Sequence, residues 1–232
     1  RQLSLLAPYL AQDRPDADLQ QDAMIANMAL SKQRFMLGET KAALEHAAVA
    51  VELGKGLERL EPANADWKGR SATTQLNQAQ LLLRAGRTSE AGTVSGSGCE
   101  KAISLASRDP TVVTWRNAER NCQRVRAELA ATNGAREESQ LIALQLLNAA
   151  RTDKIQNVRD KFALAEAYKF IGDLRWRSGD RVGSREAWQA GLSAWPRNLT
   201  ETPSQQGERG EMLRGLGQRD EGTGIATRLA AM

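Results

Sequence analysis

The one histidine of this 232-residue chain, His46, sits in the run Leu44-Glu45-His46-Ala47-Ala48. A nucleophilic triad needs an imidazole to take a proton from Ser or Cys. Any such arrangement would have to be built around His46, and no Ser or Cys stands beside it in a motif of that kind. The preferred reading is an ordinary surface or packed histidine, so no catalytic residue is assigned and no enzyme is expected. A zinc site typically takes four ligands, mostly His and Cys. One His and two Cys do not supply them, and neither a metal nor a cofactor is expected. Cys99 and Cys122 lie 10 residues before Asp109 and 12 after Pro110. At about 1.5 Å per residue on two antiparallel helices, these positions come nearly level. Two readings stay open: two buried thiols acting as small apolar side chains, which is preferred, or a disulfide, which would imply an oxidising compartment.

Anion-binding chemistry has weaker support. The stretch Gly92-Thr-Val-Ser-Gly-Ser-Gly98 lacks the Gly-Lys-Ser/Thr of a phosphate loop and the third glycine of a dinucleotide turn. It reads as a loop or as a helix loosened by glycine. Arg116, Arg120, Arg124 and Arg126 form a basic cluster, but Glu119 and Glu128 interrupt it and only 4% of the residues are aromatic. Nucleic-acid recognition expects a concentrated basic stripe, so no nucleic-acid partner is expected. The tripeptide Asn198-Leu199-Thr200 is a glycosylation sequon compatible with a surface loop. The tryptophans Trp67, Trp115, Trp188 and Trp195 read as core. Trp176 is the exception, placed near the end of the first helix of its unit.

The elements that hold these residues repeat. Asp13–Leu19, Glu61–Trp67 and Asp109–Trp115 each set an acid ahead of a large apolar residue, and Leu19, Trp67 and Trp115 are 48 residues apart. Gly38, Gly86 and Gly134 follow at the same interval. A fourth unit, slightly offset, carries Phe162 and Gly179, and a shorter fifth ends near Gly217. Each unit reads as two helices, because apolar residues recur three and four apart and glycine or proline closes each run. The spacing predicts helices near 23–37, 39–61, 66–85, 97–108, 112–132, 136–151, 157–178, 181–194, 204–216 and 219–231. No stretch alternates with period two, so no sheet is expected.

In the fourth unit Tyr168, Ile171, Gly172, Gly179-Asp180, Trp188, Gly191 and Pro196 stand at the spacing of large, large, small, turn, large, small and proline. This pattern resembles the tetratricopeptide repeat family. The first unit keeps Leu30, Ser31, Gly38-Glu39, Ala43 and Ala50, while the second and third keep the turn glycine with Ala79 and Ala127. Most units are longer than the family's usual period. The resemblance implies an all-α, right-handed superhelical array of antiparallel helix hairpins, a solenoid of four to five repeats. The units run approximately 14–62, 63–110, 111–153, 154–198 and 199–232 and form a single repeat domain. It further implies that the first helices line a concave groove that holds a protein or peptide segment, with Lys32, Gln80, Arg84, Arg124, Glu128, Lys169 and Asp173 facing it.

The boundary motif is similar to that of repeat regions at the C-terminal end of large bacterial signalling proteins. That likeness implies an effector domain before residue 1, of Toll/interleukin-receptor-like, kinase, cyclase or DNA-binding type. A competing reading therefore makes the chain an oligomerisation module that controls such an effector, with self-association through convex or terminal surfaces. The apolar start RQLSLLAPYL, which would lack a preceding partner, favours it. The chain opens without Met and in mid-element, which points to a piece of a longer protein. A formal net charge of +4 and a mean hydropathy of −0.50, with no apolar run of about 20 residues, describe a soluble domain without membrane insertion. A cytoplasmic location is favoured, with the periplasmic part of a membrane-anchored protein as the alternative.

Overall fold

The computed structural model describes residues 16–152, 158–197, 200–201 and 203–217. The expected helix near 219–231, the sequon asparagine and the apolar start of the chain lie outside these residues. Among the described residues the chain forms nine α-helices and no strand: α1 (Ala17–Met36), α2 (Thr40–Leu60), α3 (Ala65–Arg84), α4 (Thr88–Arg108), α5 (Val113–Thr132), α6 (Arg136–Thr152), α7 (Val158–Arg177), α8 (Arg181–Ser193) and α9 (Pro203–Gly215). The described residues fall into two compact units that divide between Leu129 and Ala130. Within each unit the helices pack neighbour to neighbour.

The hairpins follow from their ends. Gly38, Gly86, Gly134 and Gly179 take φ between 76° and 90°, a region that L side chains rarely adopt. Each lets the next residue's N–H turn back to a carbonyl of the last helical turn: Glu39 to Arg34, Arg87 to Leu82, Ala135 to Ala130 and Asp180 to Arg175, at 2.8–2.9 Å. This is the Schellman closure, which satisfies carbonyls that the helix leaves open. Side chains cap other helix starts: Asp16 Oδ1 accepts from Asp18 N at α1, Asn64 Oδ1 accepts from Asp66 N and Trp67 N at α3, and Asp180 Oδ1, after the Gly179 turn, accepts from Gly183 N at α8. Removing the Asn64 cap by Asn64→Ala is expected to cost about 1 kcal/mol, read as a lower urea midpoint with an unchanged slope.

The packing uses small residues where helices cross. In the first unit Gly54 of α2 lies over Ser71 and Thr74 of α3, and Gly98 of α4 lies over Gln75 and Ala72. A Cβ on Gly54 would stand 3.0 Å from Thr74 Oγ1, and one on Gly98 would stand 3.1 Å from Gln75 Cβ. The core is correspondingly fine-grained. Ala72, Leu76, Ala79, Leu82, Ala91, Ala102, Ala118 and Val125 enclose both cysteines, and Met24, Ala50 and Leu57 form a second cluster. The second unit is built around aromatics instead: Phe162, Ala165, Trp188, Trp195 and Met212. Phe162 meets Trp195 edge to face at 5.3 Å.

One stretch differs from its expected start. Helix α4 begins at Thr88 rather than near 97, so Gly92–Gly98 is helical throughout, and of the two readings of that stretch the glycine-loosened helix holds and the loop does not. Three glycines each cost roughly 1 kcal/mol against alanine in a helix. The N–H···O ladder nevertheless closes because Ala91, Ser95 and Gly98 face α3 and the packed core. Tertiary contact outweighs local preference here.

Candidate binding surface

The residues expected to face a groove are distributed over four helices. Lys32 on α1 and Arg84 at the end of α3 are exposed, while Gln80 on α3 and Arg124 and Glu128 on α5 are half-buried. Two of these helices are visibly brought together. The Arg84 guanidinium lies 5.8 Å above the Phe35 ring, a cation–π distance, so the C-terminal ends of α1 and α3 stand side by side. Phe35 is not among the residues expected to face the groove. Its signal was its offset, three residues before the turn glycine, which it shares with Leu83 and Trp176.

Lys169 and Asp173 belong to the second unit and are joined to each other. Lys169 is buried, and its Nζ lies 2.7 Å from Asp173 Oδ2 and 2.8 Å from Glu211 Oε2 of α9. Burial alone would lower its pKa, but the two carboxylates outweigh that and hold the ammonium above its ordinary value. Asp173 also accepts from Trp188 Nε1 at 3.0 Å. Lys169 thus ties α7 to α9. Glu211 is a member of this network that period and pattern did not reveal.

Near the α7–α8 turn, Trp176 is 43% exposed. The Arg181 guanidinium lies 3.5 Å from the centre of its ring, and Arg181 also donates to the Trp176 carbonyl. The other expected core tryptophans are in place: Trp115, Trp188 and Trp195 are buried and Trp67 is half-buried.

His46 is half-buried, with Nδ1 2.9 Å from Asn27 Oδ1. Since Asn27 Nδ2 donates to Ala23 O, Oδ1 is the acceptor and His46 Nδ1–H the donor. The imidazole therefore anchors α2 to a buried polar position of α1. Arg116, Arg120 and Arg124 form one half-buried stripe along α5, and Arg126 is exposed. Cys99 and Cys122 are bonded to each other, with Cα atoms 5.1 Å apart. Both are also buried, so burial was read correctly while the preference for free thiols is corrected. The level positions on α4 and α5 bring the two sulfurs within bonding reach.

Among the described residues no three His, Cys, Asp or Glu gather in a way that could hold a metal ion. Nor is any helix among them long and apolar enough to cross a membrane. A shallow depression of about 450 Å³ lies on α2 beside the start of α1, lined by Gln20, Val49, Leu53, Gly56 and Arg59 among others. No protein-family model matches the chain, and no curated protein or solved structure matches it.

Proposed function

We propose that this chain is a tetratricopeptide-like helical repeat scaffold that holds a protein segment against its first helices, with no bond chemistry of its own. The observation that carries this reading is the recurring hairpin, closed by the same glycine turn at Gly38, Gly86, Gly134 and Gly179. An array of this kind is right-handed and superhelical, and its first helices face a common concave wall. In the first unit that wall carries Lys32, Gln80, Arg84, Arg124 and Glu128, a mixture of charges suited to a peptide bearing both signs. Phe35 adds an aromatic surface beside Arg84. A transient interface of this size buries on the order of 1,000 Å².

The test is charge reversal at exposed positions. Lys32→Glu with Arg84→Glu is expected to leave the melting temperature within a few degrees of the parent, since exposed substitutions shift stability by about 0.5 kcal/mol or less. Partners recovered from the source cell by the parent should be lost by the variant. Their binding should also weaken with salt, because charges are screened over about 8 Å at physiological ionic strength. Recovery of the same partners at the same salt would remove the groove as the binding face.

A second reading, self-association that controls an attached effector domain, rests on α6. Leu141 and Leu144 stand 58% and 47% exposed, one turn apart, on a second helix of a hairpin. Second helices form the convex side of such an array. Concentration-dependent sedimentation that Leu141→Glu abolishes would favour this reading over the groove.

A further inference from the structure

We propose that the Cys99–Cys122 disulfide is a redox latch on α4: oxidised, it holds this helix against α3 and α5, and reduced, it lets α4 open ahead of the rest of its unit. The latch does not depend on what the protein binds.

The first half of helix α4 is weak on two counts. It contains Gly92, Gly96 and Gly98, and each glycine lowers helix stability several-fold against alanine. Gly98 is needed at the crossing with α3, but a Cβ on Gly92 or Gly96 would meet nothing within 4 Å. Those two glycines therefore serve no packing purpose.

The second count is burial. At the repeat interval of 48 residues, Ala47, Ala50 and Val51 of α2 correspond to Ser95, Gly98 and Cys99 of α4. All six positions are buried. Where the sister helix buries a valine, α4 carries a sulfur bonded to α5. Ahead of Cys99, the buried positions of α4 offer one alanine, one serine and one glycine. Over this first half a covalent bond stands where apolar area holds the equivalent stretch of α2, while the second half of α4 is held by buried Ala102, Leu105 and Ala106.

The exchange that opens the latch needs an external dithiol. Its thiolate attacks Cys99 Sγ, since Cys99 keeps 9% exposure while Cys122 has none. The Cys99–Cys122 bond breaks, Cys122 leaves as a thiolate and takes a proton, and a mixed disulfide remains on Cys99. The second thiol of the reagent then attacks its own sulfur in that mixed disulfide and releases Cys99. Two electrons and two protons pass to the pair, and the reagent ends as a disulfide.

The test is amide hydrogen exchange on the full chain, before and after reduction with dithiothreitol. In the oxidised protein, the amides of α4 should be as protected as those of α3. After reduction they should exchange at least 10-fold faster than those of α1 to α3 in the same sample, the signature of a local opening. The double variant Cys99→Ser/Cys122→Ser should show the same pattern without reagent. In the reduced protein, Gly92→Ala with Gly96→Ala should return α4 to within about threefold of its neighbours, because alanine fits the open space. Two results would overturn the proposal. One is α4 speeding up only in step with α1 to α3, which would make the bond a uniform staple. The other is the alanine pair leaving the reduced α4 as fast as in the reduced parent.

Discussion

Gly172→Leu lowers the stability of the second unit by about 3 kcal/mol or more, at the upper end of what overpacking costs. The reason is Trp188. A Cβ on Gly172 would fall 2.4 Å from both Cδ1 and Nε1 of that indole, and a Cβ on Gly215 would fall 2.3 Å from its Cζ3. The ring is thus wedged between glycines of α7 and α9. It has little freedom to retreat, because it is 5% exposed and its Nε1 donates to Asp173 Oδ1. Moving it breaks that bond, and Asp173 also pairs with Lys169. Even Gly172→Ala should therefore be destabilising, although alanine favours helix over glycine by roughly 1 kcal/mol. Thermal and urea unfolding of the two variants measure the effect. Midpoints equal to the parent for both would show that Trp188 does not pack on Gly172.

Reduction of the disulfide is expected to cost about 3 kcal/mol of global stability. Cys99 and Cys122 are separated by 23 residues, and closing a loop of that size removes on the order of 3 kcal/mol of chain entropy from the unfolded state. The loss falls on the first unit, which contains both cysteines. Urea unfolding with and without dithiothreitol reads it as a drop in midpoint, and Cys99→Ser/Cys122→Ser should reproduce the drop. A midpoint insensitive to reductant would mean that the bond does not constrain the unfolded chain.

These two effects differ in how far the sequence by itself reached. The small residue at 172 was legible from the spacing of Tyr168, Ile171, Gly172, Trp188 and Gly191, and so was the need for close helix approach. The second glycine of the wedge, Gly215, was not, since it lies on another helix at no repeat interval. The cysteine pair was legible as two level positions, but not as a bond. Whether two sulfurs join depends on the lateral distance between α4 and α5, which side-chain volumes across the whole core decide.

The sequence alone determined what depends on neighbours along the chain. Turn glycines, caps and apolar periodicity act within a few residues, so the helix ends and the hairpin repeat follow from local backbone geometry. Its reach ended where partners are remote. Gly92–Gly98 has the composition of a break, yet it is helical because its inward face meets α3. Lys169 has the position of an open-face cation, yet Glu211 of α9 closes over it at 2.8 Å. Arg84 was placed correctly on the end of a first helix, while its aromatic neighbour Phe35 comes from another hairpin. In each case the outcome rests on burial and charge pairing across helices far apart in the chain, and those energies exist only once the helices have packed.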